Sequence, residues 1–244
     1  MVKKLLVLQM RPEDATAHSE FDAILRFGEL ESYQVDRIRL EQLPIPEIDL
    51  SAYWGIIAGG SPFDISLAEK QKGAIQKQIE QFFVSLFDQI IPLDFPFLGA
   101  CSGNGHLGNY YGATISNTYA EPIGTTTLTI TETGSGDPLL VGLPNRFLGF
   151  VGHKEACDEI PLGADLLVTS ETCPVQMFRI KNNIYATQFH PEADAQEFVL
   201  RIKTYKQNGY FPPNEAETLI KSLASAKAPV PNKILKRFVR RYRP

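Results

Sequence analysis

Predicted strands and helices alternate along the first half of the chain, and this alternation limits the folds available to it. Strands are indicated by short apolar or alternating segments, and helices by apolar residues at helical spacing. The predicted strands are 2–9, 33–40, 54–58 and 95–99, and the predicted helices are 18–30, 67–87 and 102–111. Such alternation is typical of a parallel sheet with helices on both faces. We therefore predict a three-layer, flavodoxin-like α/β fold with a mostly parallel sheet.

The middle of the chain has a different pattern. Residues 125–131 and 164–170 are rich in β-forming residues and have turns between them, which predicts a small antiparallel insert. A last strand is predicted at 184–188 and a helix at 193–208.

Composition and cysteine content indicate the class of protein and its compartment. Hydrophobic residues make up 43% of the chain and charged residues 21%, which excludes disordered and fibrous proteins. No apolar run reaches the roughly 18 residues of a membrane span, so we expect no transmembrane helix. The first apolar run ends at Arg11, which is short for a signal peptide. Three cysteines without a C-x-x-C pair argue against a disulfide scaffold and favour a reducing cytoplasm.

Charge is distributed unevenly. The net charge of −4 argues against general nucleic-acid binding. However, residues 227–244 include seven basic residues and no acidic one. This tail is either a docked final helix or a binding arm for an acidic partner. A docked helix would bury an apolar stripe made of Ile234, Leu235, Phe238 and Tyr242.

The segment Gly99-Ala100-Cys101-Ser102-Gly103 lies between a predicted strand and a predicted helix. Small residues on both sides of a nucleophile permit the tight, strained turn known as a nucleophile elbow. The helix that follows would point its N-terminus at the sulfur, and its dipole would favour the thiolate, the attacking species. The alternative is a buried cysteine in a glycine-rich loop with no reactive role.

A reactive cysteine needs a base and a group that orients the base. His190 follows a predicted strand, and sites in parallel sheets are built at the carboxyl ends of strands. Glu192 lies two residues later, close enough to accept a hydrogen bond from the imidazole across the turn at Pro191. The alternative for His190 is a strand-end histidine without a role.

Four segments occur in an order that resembles a known family. They are Gly59-Gly60-Ser61-Pro62, Gly99-Ala100-Cys101-Ser102-Gly103, Val151-Gly152-His153-Lys154-Glu155 and Ala186-Thr187-Gln188-Phe189-His190-Pro191-Glu192. Over about residues 2–205 the chain resembles the class I, or triad, glutamine amidotransferases, nearest the stand-alone relatives of the GMP synthase amidotransferase domain. With this resemblance, we expect an amidotransferase-like domain over 1–210 and a helical, basic C-terminal extension over 211–244.

The resemblance implies a role for each residue of the motifs. Cys101 would be the nucleophile, His190 its base and Glu192 the orienter of that base. The family forms a γ-glutamyl thioester and releases ammonia. The backbone N–H groups of Gly60 and Ser102 would form the oxyanion hole, because small residues let the backbone approach the developing charge.

The resemblance also places Gly59, Gly105, Gly152 and His153 in the substrate pocket, and two of them depart from the family pattern. Gly105 stands where the family usually has a glutamine that holds the amino-acid end of the substrate, and Gly152 where many relatives have serine. Because Gly105 has no side chain, we expect free glutamine to be a poor substrate. The vacant space would admit a larger γ-glutamyl compound, and Gly105→Gln would raise glutaminase activity.

No cofactor or metal is expected. Cys157, Cys173 and His153 match no known spacing of metal ligands. The chain has no G-x-x-x-x-G-K-[ST] loop and no S-G-G-x-D-S loop, so an ATP-dependent synthetase would be on a partner chain or absent.

We therefore predict an enzyme that hydrolyses a small-molecule amide, either glutamine or a γ-glutamyl amide, and releases ammonia. Three alternatives stay open. They are a γ-glutamyl hydrolase-like enzyme, a cysteine hydrolase of the intracellular-protease type, and an altered family member that serves as a binding or regulatory module. The H-P-E motif argues against the protease type, and the intact set of three residues argues against the module.

Overall fold

The central feature of the computed structural model, which describes residues 2–42, 44–207 and 211–244, is one large sheet. The strands are β1 (Lys4–Gln9), β2 (Val35–Arg39), β3 (Tyr53–Ala58), β4 (Phe97–Ala100), β5 (Ile115–Ser116), β6 (Glu121–Ile130), β7 (Arg146–His153), β8 (Ala156–Cys157), β9 (Asp165–Thr169), β10 (Met177–Ile180) and β11 (Ile184–Thr187). Nine strands form the sheet in the order β2-β1-β3-β4-β11-β10-β9-β6-β7, and β5 pairs with β8 separately.

The sheet has a parallel half and an antiparallel half. Strands β2, β1, β3, β4 and β11 are mutually parallel. From β11 onward, through β10, β9, β6 and β7, every pairing is antiparallel. The predicted α/β fold is therefore confirmed. The predicted antiparallel strands extend the parallel sheet on one side, and the two-stranded pair β5-β8 is the small antiparallel sheet apart from it.

Helices cover both faces of the sheet, as a three-layer arrangement requires. They are α1 (Asp14–Gly28), α2 (Ala74–Ile90), α3 (Ser102–Tyr110), α4 (Glu132–Ser135), α5 (Ala195–Thr204), α6 (Ala216–Leu223) and α7 (Pro229–Tyr242). Successive side chains of β1 point to opposite faces, because a strand has a period of two residues. Leu5 and Val7 therefore join one apolar core together with α1 and α7, while Leu6 and Leu8 join another with α2 and α3.

Three predicted helices differ from the structure by more than one residue at an end. The helix predicted over 18–30 is α1, which begins earlier, at Asp14, and ends at Gly28. The helix predicted over 67–87 begins only at Ala74, with Gly73 in extended conformation before it, and continues to Ile90. Its predicted start was wrong because Glu69–Gln71 form a separate 3₁₀ turn, and Lys72 and Gly73 after it are extended.

The helix predicted over 193–208 is α5, which ends at Thr204. Residue 208 lies outside the described part of the chain. So does residue 210, where the domain boundary was predicted, and that boundary stays a prediction.

The basic tail forms a docked helix, which was one of its two predicted interpretations. Ile234, Leu235 and Phe238 of α7 are fully buried in the core that contains Leu5 and Val7, and Tyr242 packs against that core while remaining partly exposed. Lys236 and Arg240, on the solvent side, both donate to the carboxylate of Glu29, beside the end of α1. Two of the seven cations of the tail thus share an acidic partner within the molecule.

Across 2–42, 44–207 and 211–244, none of the helices is both long enough and apolar enough to cross a bilayer.

Candidate active site

Cys101 lies at the turn between β4 and α3, where the backbone is strained. Its φ of 53° and ψ of −100° lie in a region that side-chain-bearing residues rarely adopt. The backbone N–H of Cys101 donates to the carbonyl of Thr187 at 2.7 Å, which ties the turn to the end of β11. A Cβ at Gly99 would lie 2.7 Å from the backbone of Gly103, so the turn requires glycine there. These are the features of a nucleophile elbow.

His190 and Glu192 lie beyond the end of β11, and both are buried. The backbone N–H of His190 donates to the carbonyl of Phe150 at 3.0 Å, which fixes the loop against β7. His190 Nδ1 lies 2.6 Å from Glu192 Oε1, so the predicted contact between imidazole and carboxylate is present. A proton on Nδ1 that is donated to Glu192 leaves the lone pair of Nε2 available to a second group.

Two buried arginines that sequence reasoning missed also reach this group. Arg201, from α5, places Nη1 3.0 Å from His190 Nδ1 and Nη2 3.0 Å from Glu192 Oε1. Arg11, after β1, donates from Nε to Glu20 Oε2 at 2.6 Å. One signal was available for Arg11, since it follows the carboxyl end of a parallel strand as His190 does. Arg201 lies within a helix and carries no comparable signal.

Burial decides the protonation state of Cys101. The crowded surroundings of the sulfur raise the pKa of the thiol to about 11, although the charges of Arg11 and Arg201 and the backbone N–H of Ser102 act in the opposite direction. Burial also lowers the pKa of His190. The resting site therefore holds a thiol and a neutral imidazole. The N-terminus of α3 acts in the expected direction, since the backbone N–H of Ser102 lowers the pKa of Cys101, but burial has the larger effect.

Two small cavities adjoin Cys101. One has a volume of about 30 Å³, and its walls include Asp64 and Lys154, which form an ion pair at 2.6 Å. The other has a volume of about 20 Å³, and its walls include His190 and Arg201. Cys101 belongs to both, so its thiol and the imidazole of His190 open onto a common space.

Gly60 and Ser102, the predicted oxyanion-hole residues, both lie beside this group. A Cβ at Gly60 would lie 3.3 Å from His190 Cε1 and 2.5 Å from a terminal nitrogen of Arg11. The backbone N–H of Ser102 is hydrogen-bonded to the Cys101 sulfur and lowers its pKa. Gly59 is different, because its Cα faces the Glu20 carboxylate and it is not among the described residues that line either cavity.

Gly105, Gly152 and His153, the other residues predicted to bind substrate, line the larger cavity. The space beside Gly105 is not vacant, because a Cβ there would lie 2.8 Å from Ile65 Cδ1. The expectation of open room at this position was therefore wrong. A Cβ at Gly152 would similarly meet Ile123 at 2.8 Å.

His153 also belongs to a group that could hold a metal ion. Its imidazole, the Glu121 carboxylate and the Cys173 thiol bring their donor atoms within 4.8 Å of one another, and all three residues are buried. However, His153 Nε2 already lies 2.8 Å from Glu121 Oε2, and Gln176 donates to the same oxygen at 2.7 Å. His153, Glu121 and Gln176 are therefore joined by hydrogen bonds without needing an ion, and the Cys173 thiol contacts the carbonyl of Val175 at 3.9 Å instead.

Comparison with known protein families shows which family this chain belongs to. The model of the class-I glutamine amidotransferase family matches residues 21–203. The chain belongs to the class-I glutamine amidotransferase family. This confirms the resemblance that the four segments indicated.

Curated relatives of this family member are glutamine-hydrolysing GMP synthases. It is 29% identical over 144 residues to one subunit of the enzyme of Thermoplasma volcanium, a match that covers 59% of this chain and 64% of the relative. Against the corresponding subunit from Methanocaldococcus jannaschii it is 29% identical over 64% of this chain and 73% of the relative. The match to the GMP synthase of Caldicellulosiruptor saccharolyticus, also 29% identical, covers 59% of this chain. The chain spans only 25% of the length of that enzyme, and less than two thirds of the T. volcanium relative.

Solved structures show the same fold over nearly the whole chain. A glutamine amidotransferase from Thermotoga maritima superposes with a TM-score of 0.77 at 21% identity, covering 98% of this chain and 97% of the other. A glutamine amidotransferase from Methylobacillus flagellatus gives a TM-score of 0.70 at 15% identity, covering 99% and 94%.

Proposed function

We propose that this family member hydrolyses the γ-amide of glutamine or of a γ-glutamyl compound, with Cys101 as nucleophile, His190 as base and Glu192 as the orienter. One observation carries the proposal. His190 Nδ1 is engaged by Glu192 at 2.6 Å, while the imidazole lines the cavity that Cys101 also lines. This is the relation of orienter, base and nucleophile that covalent amide hydrolysis requires.

The protonation states support a base-assisted attack. Because the Cys101 thiol is protonated and the imidazole is neutral at rest, His190 Nε2 takes the thiol proton as the sulfur bonds to the amide carbon. The carbonyl oxygen becomes an oxyanion, which the backbone N–H groups of Gly60 and Ser102 would stabilise by a few kcal/mol each.

The later steps return the enzyme to its resting state. His190 gives its proton to the leaving nitrogen, the C–N bond breaks, and ammonia leaves a thioester on Cys101. Water then attacks the thioester carbon while His190 takes a proton from that water, and as the C–S bond breaks His190 returns this proton to the sulfur. The products are a free γ-carboxylate and the regenerated thiol.

Cysteine substitutions test this assignment, because the chain offers a matched control. Cys101→Ala should abolish release of ammonia from glutamine or γ-glutamyl amides while leaving the fold intact. Cys157→Ala removes a buried thiol that lines neither cavity among the described residues, and it should retain activity. Glu192→Ala should be less damaging than His190→Ala, since the orienter acts through the base. Turnover by Cys101→Ala at the wild-type rate would overturn the assignment.

We further propose that the ammonia passes to an ATP-dependent synthetase on a partner chain. Support comes from the relatives, two of which are single subunits of glutamine-hydrolysing GMP synthases. The test is to mix the chain with the synthetase subunit of a GMP synthase and supply glutamine or ammonium as the nitrogen source. Amination with ammonium but not with glutamine would exclude this partner.

A further inference from the structure

A balanced set of buried charges surrounds His190. Arg201 and Arg11 supply two positive charges, and Glu192 and Glu20 supply two negative ones. Each of these four side chains is at most 6% exposed. Buried charges are costly unless they are paired, and here each has a partner. An imidazolium at His190 would add a positive charge that this set does not compensate.

The hydrogen-bond geometry around His190 Nδ1 allows one of two states. Glu192 Oε1 lies at 2.6 Å and can only accept a proton, while Arg201 Nη1 lies at 3.0 Å and can only donate one. Nδ1 carries either a hydrogen or a lone pair, so it cannot satisfy both. A hydrogen on Nδ1 leaves the Nε2 lone pair ready to accept the thiol proton, whereas a lone pair on Nδ1 places the hydrogen on Nε2 and removes the base.

Arg201 Nη1 alone would favour the second state, but Glu192 is the nearer partner of Nδ1, at 2.6 Å against 3.0 Å, and Arg201 also binds Glu192, so the first state is favoured. Arg201 Nη2 donates to Glu192 Oε1 at 3.0 Å, which holds the carboxylate against Nδ1. Its guanidinium also stacks near the ring of Phe198, 5.1 Å from the ring centre, so α5 fixes its position. We propose that Arg201 is a positioning residue that holds Glu192 on His190 and keeps the imidazole neutral, an inference that rests on the proposed function.

The electrostatics of the surrounding elements agree with this assignment. Burial lowers the pKa of His190, Glu192 raises it, and Arg201 and Arg11 lower it. The groups that face the imidazole are thus Glu192 from its own loop, Arg201 from α5 and Arg11 from the end of β1. Cys101 shares the cavity, and Glu20 from α1 acts through the two arginines.

Three variants separate charge from packing. Arg201→Met keeps much of the side-chain length but removes the charge, so the acid limb of the kcat/KM profile should move up by about one pH unit. Arg201→Lys keeps the charge but cannot bridge two partners, so the limb should stay in place while kcat falls several-fold. Glu20→Gln removes a negative charge beside both arginines, so the acid limb should move to lower pH. Thermal denaturation shows whether each variant is folded.

A readout without turnover keeps the inference separate from the proposed function. In ¹⁵N-labelled Cys101→Ala protein, the His190 imidazole can be titrated by NMR with and without each substitution. We expect an upward shift in the midpoint for Arg201→Met and a downward shift for Glu20→Gln. If a folded Arg201→Met protein titrates at the original midpoint, Arg201 has only a packing role and the inference fails. If Arg201→Met does not fold, the Glu20→Gln variant decides instead: an unchanged titration midpoint of His190 in that variant would also overturn the inference. Absence of amide hydrolysis would instead count against the proposed function alone.

Discussion

At the scale of single residues, Gly105 shows how a missing side chain can be replaced by a neighbour. Ile65 Cδ1 lies 2.8 Å from the position that the Cβ of any larger residue would take, and the Ile65 backbone is held by the Glu155 carboxylate. Ile65 therefore fills part of the space that a family glutamine would use. A glutamine placed at position 105 could reach the substrate only if Ile65 made room for it.

This packing changes the expected effect of Gly105→Gln. Alone, the substitution should not raise kcat/KM for glutamine, because the new side chain overlaps Ile65. Combined with Ile65→Ala, it should raise kcat/KM about tenfold over Ile65→Ala alone, the value of one hydrogen bond of about 1–3 kcal/mol to a charged group. The measurement is steady-state glutamine hydrolysis by the three proteins. A gain from the single substitution would show that Ile65 moves aside freely.

Residues of the site differed in how far sequence could predict them. His190 and Glu192 are two positions apart, so their contact could be predicted from local geometry, and Cys101 was marked by its glycine-flanked turn. Arg201 lies 3.6 Å from Glu20, a residue 181 positions earlier in the sequence, and no local sequence pattern could predict such a contact. The protonation state of Cys101 was also beyond a local argument, because it depends on burial by distant segments.

At the scale of elements, α2 and α3 are joined by an aromatic contact that no motif indicated. The ring of His106 on α3 stacks on that of Phe83 on α2, with centroids 4.3 Å apart and planes 15° apart. His106 is absent from the described residues that line the two cavities at Cys101, so it does not replace the missing family glutamine. Burial lowers the pKa of His106 to about 3. It is a neutral core histidine.

A buried neutral histidine makes stability depend on pH. At pH values between the ordinary histidine pKa of 6.5 and the folded-state pKa of about 3, His106 is protonated in the unfolded chain but not in the folded one. Stability therefore decreases as the pH falls through this window. In urea denaturation, His106→Leu should reduce the loss of stability between pH 7.5 and 4.5 by about 2–3 kcal/mol. His18→Gln, which changes an exposed histidine, is the matched control. An unchanged loss in His106→Leu would contradict the prediction.

Element bounds were predicted best where the local pattern alone determines them. β1 and α3 begin or end within two residues of their predicted limits, because apolar runs and the elbow mark them. The start of α2 was misplaced by seven residues because the segment before it forms a separate 3₁₀ turn at Glu69–Gln71, after which Lys72 and Gly73 are extended. Strands β7 and β10 were not predicted, since their stability comes from pairing with neighbours rather than from a distinctive pattern.

At the scale of the whole molecule, the C-terminal helix is part of the central core. Phe238 of α7 lies against Tyr185 of β11, with ring centroids 6.5 Å apart in an edge-to-face arrangement, and against Gly55 of β3. The same apolar cluster contains Leu5 of β1 and Leu128 of β6. Since this core connects both halves of the sheet with the tail, loosening α7 exposes apolar surface on the sheet itself. We propose that residues 211–244 are an extension in sequence only and do not fold as a separate unit.

Unfolding experiments check this proposal. A single core predicts one cooperative transition, in which the calorimetric and van't Hoff enthalpies agree. Phe238→Ala should lower the free energy of unfolding by about 3–5 kcal/mol, because it removes a fully buried aromatic ring, and should move the whole transition to lower denaturant concentration. Lys233→Ala, at an exposed position of the same helix, should change stability by less than about 0.5 kcal/mol. Two separate transitions, with only the weaker one sensitive to Phe238→Ala, would show instead that the tail folds independently and that its packing on the sheet contributes little.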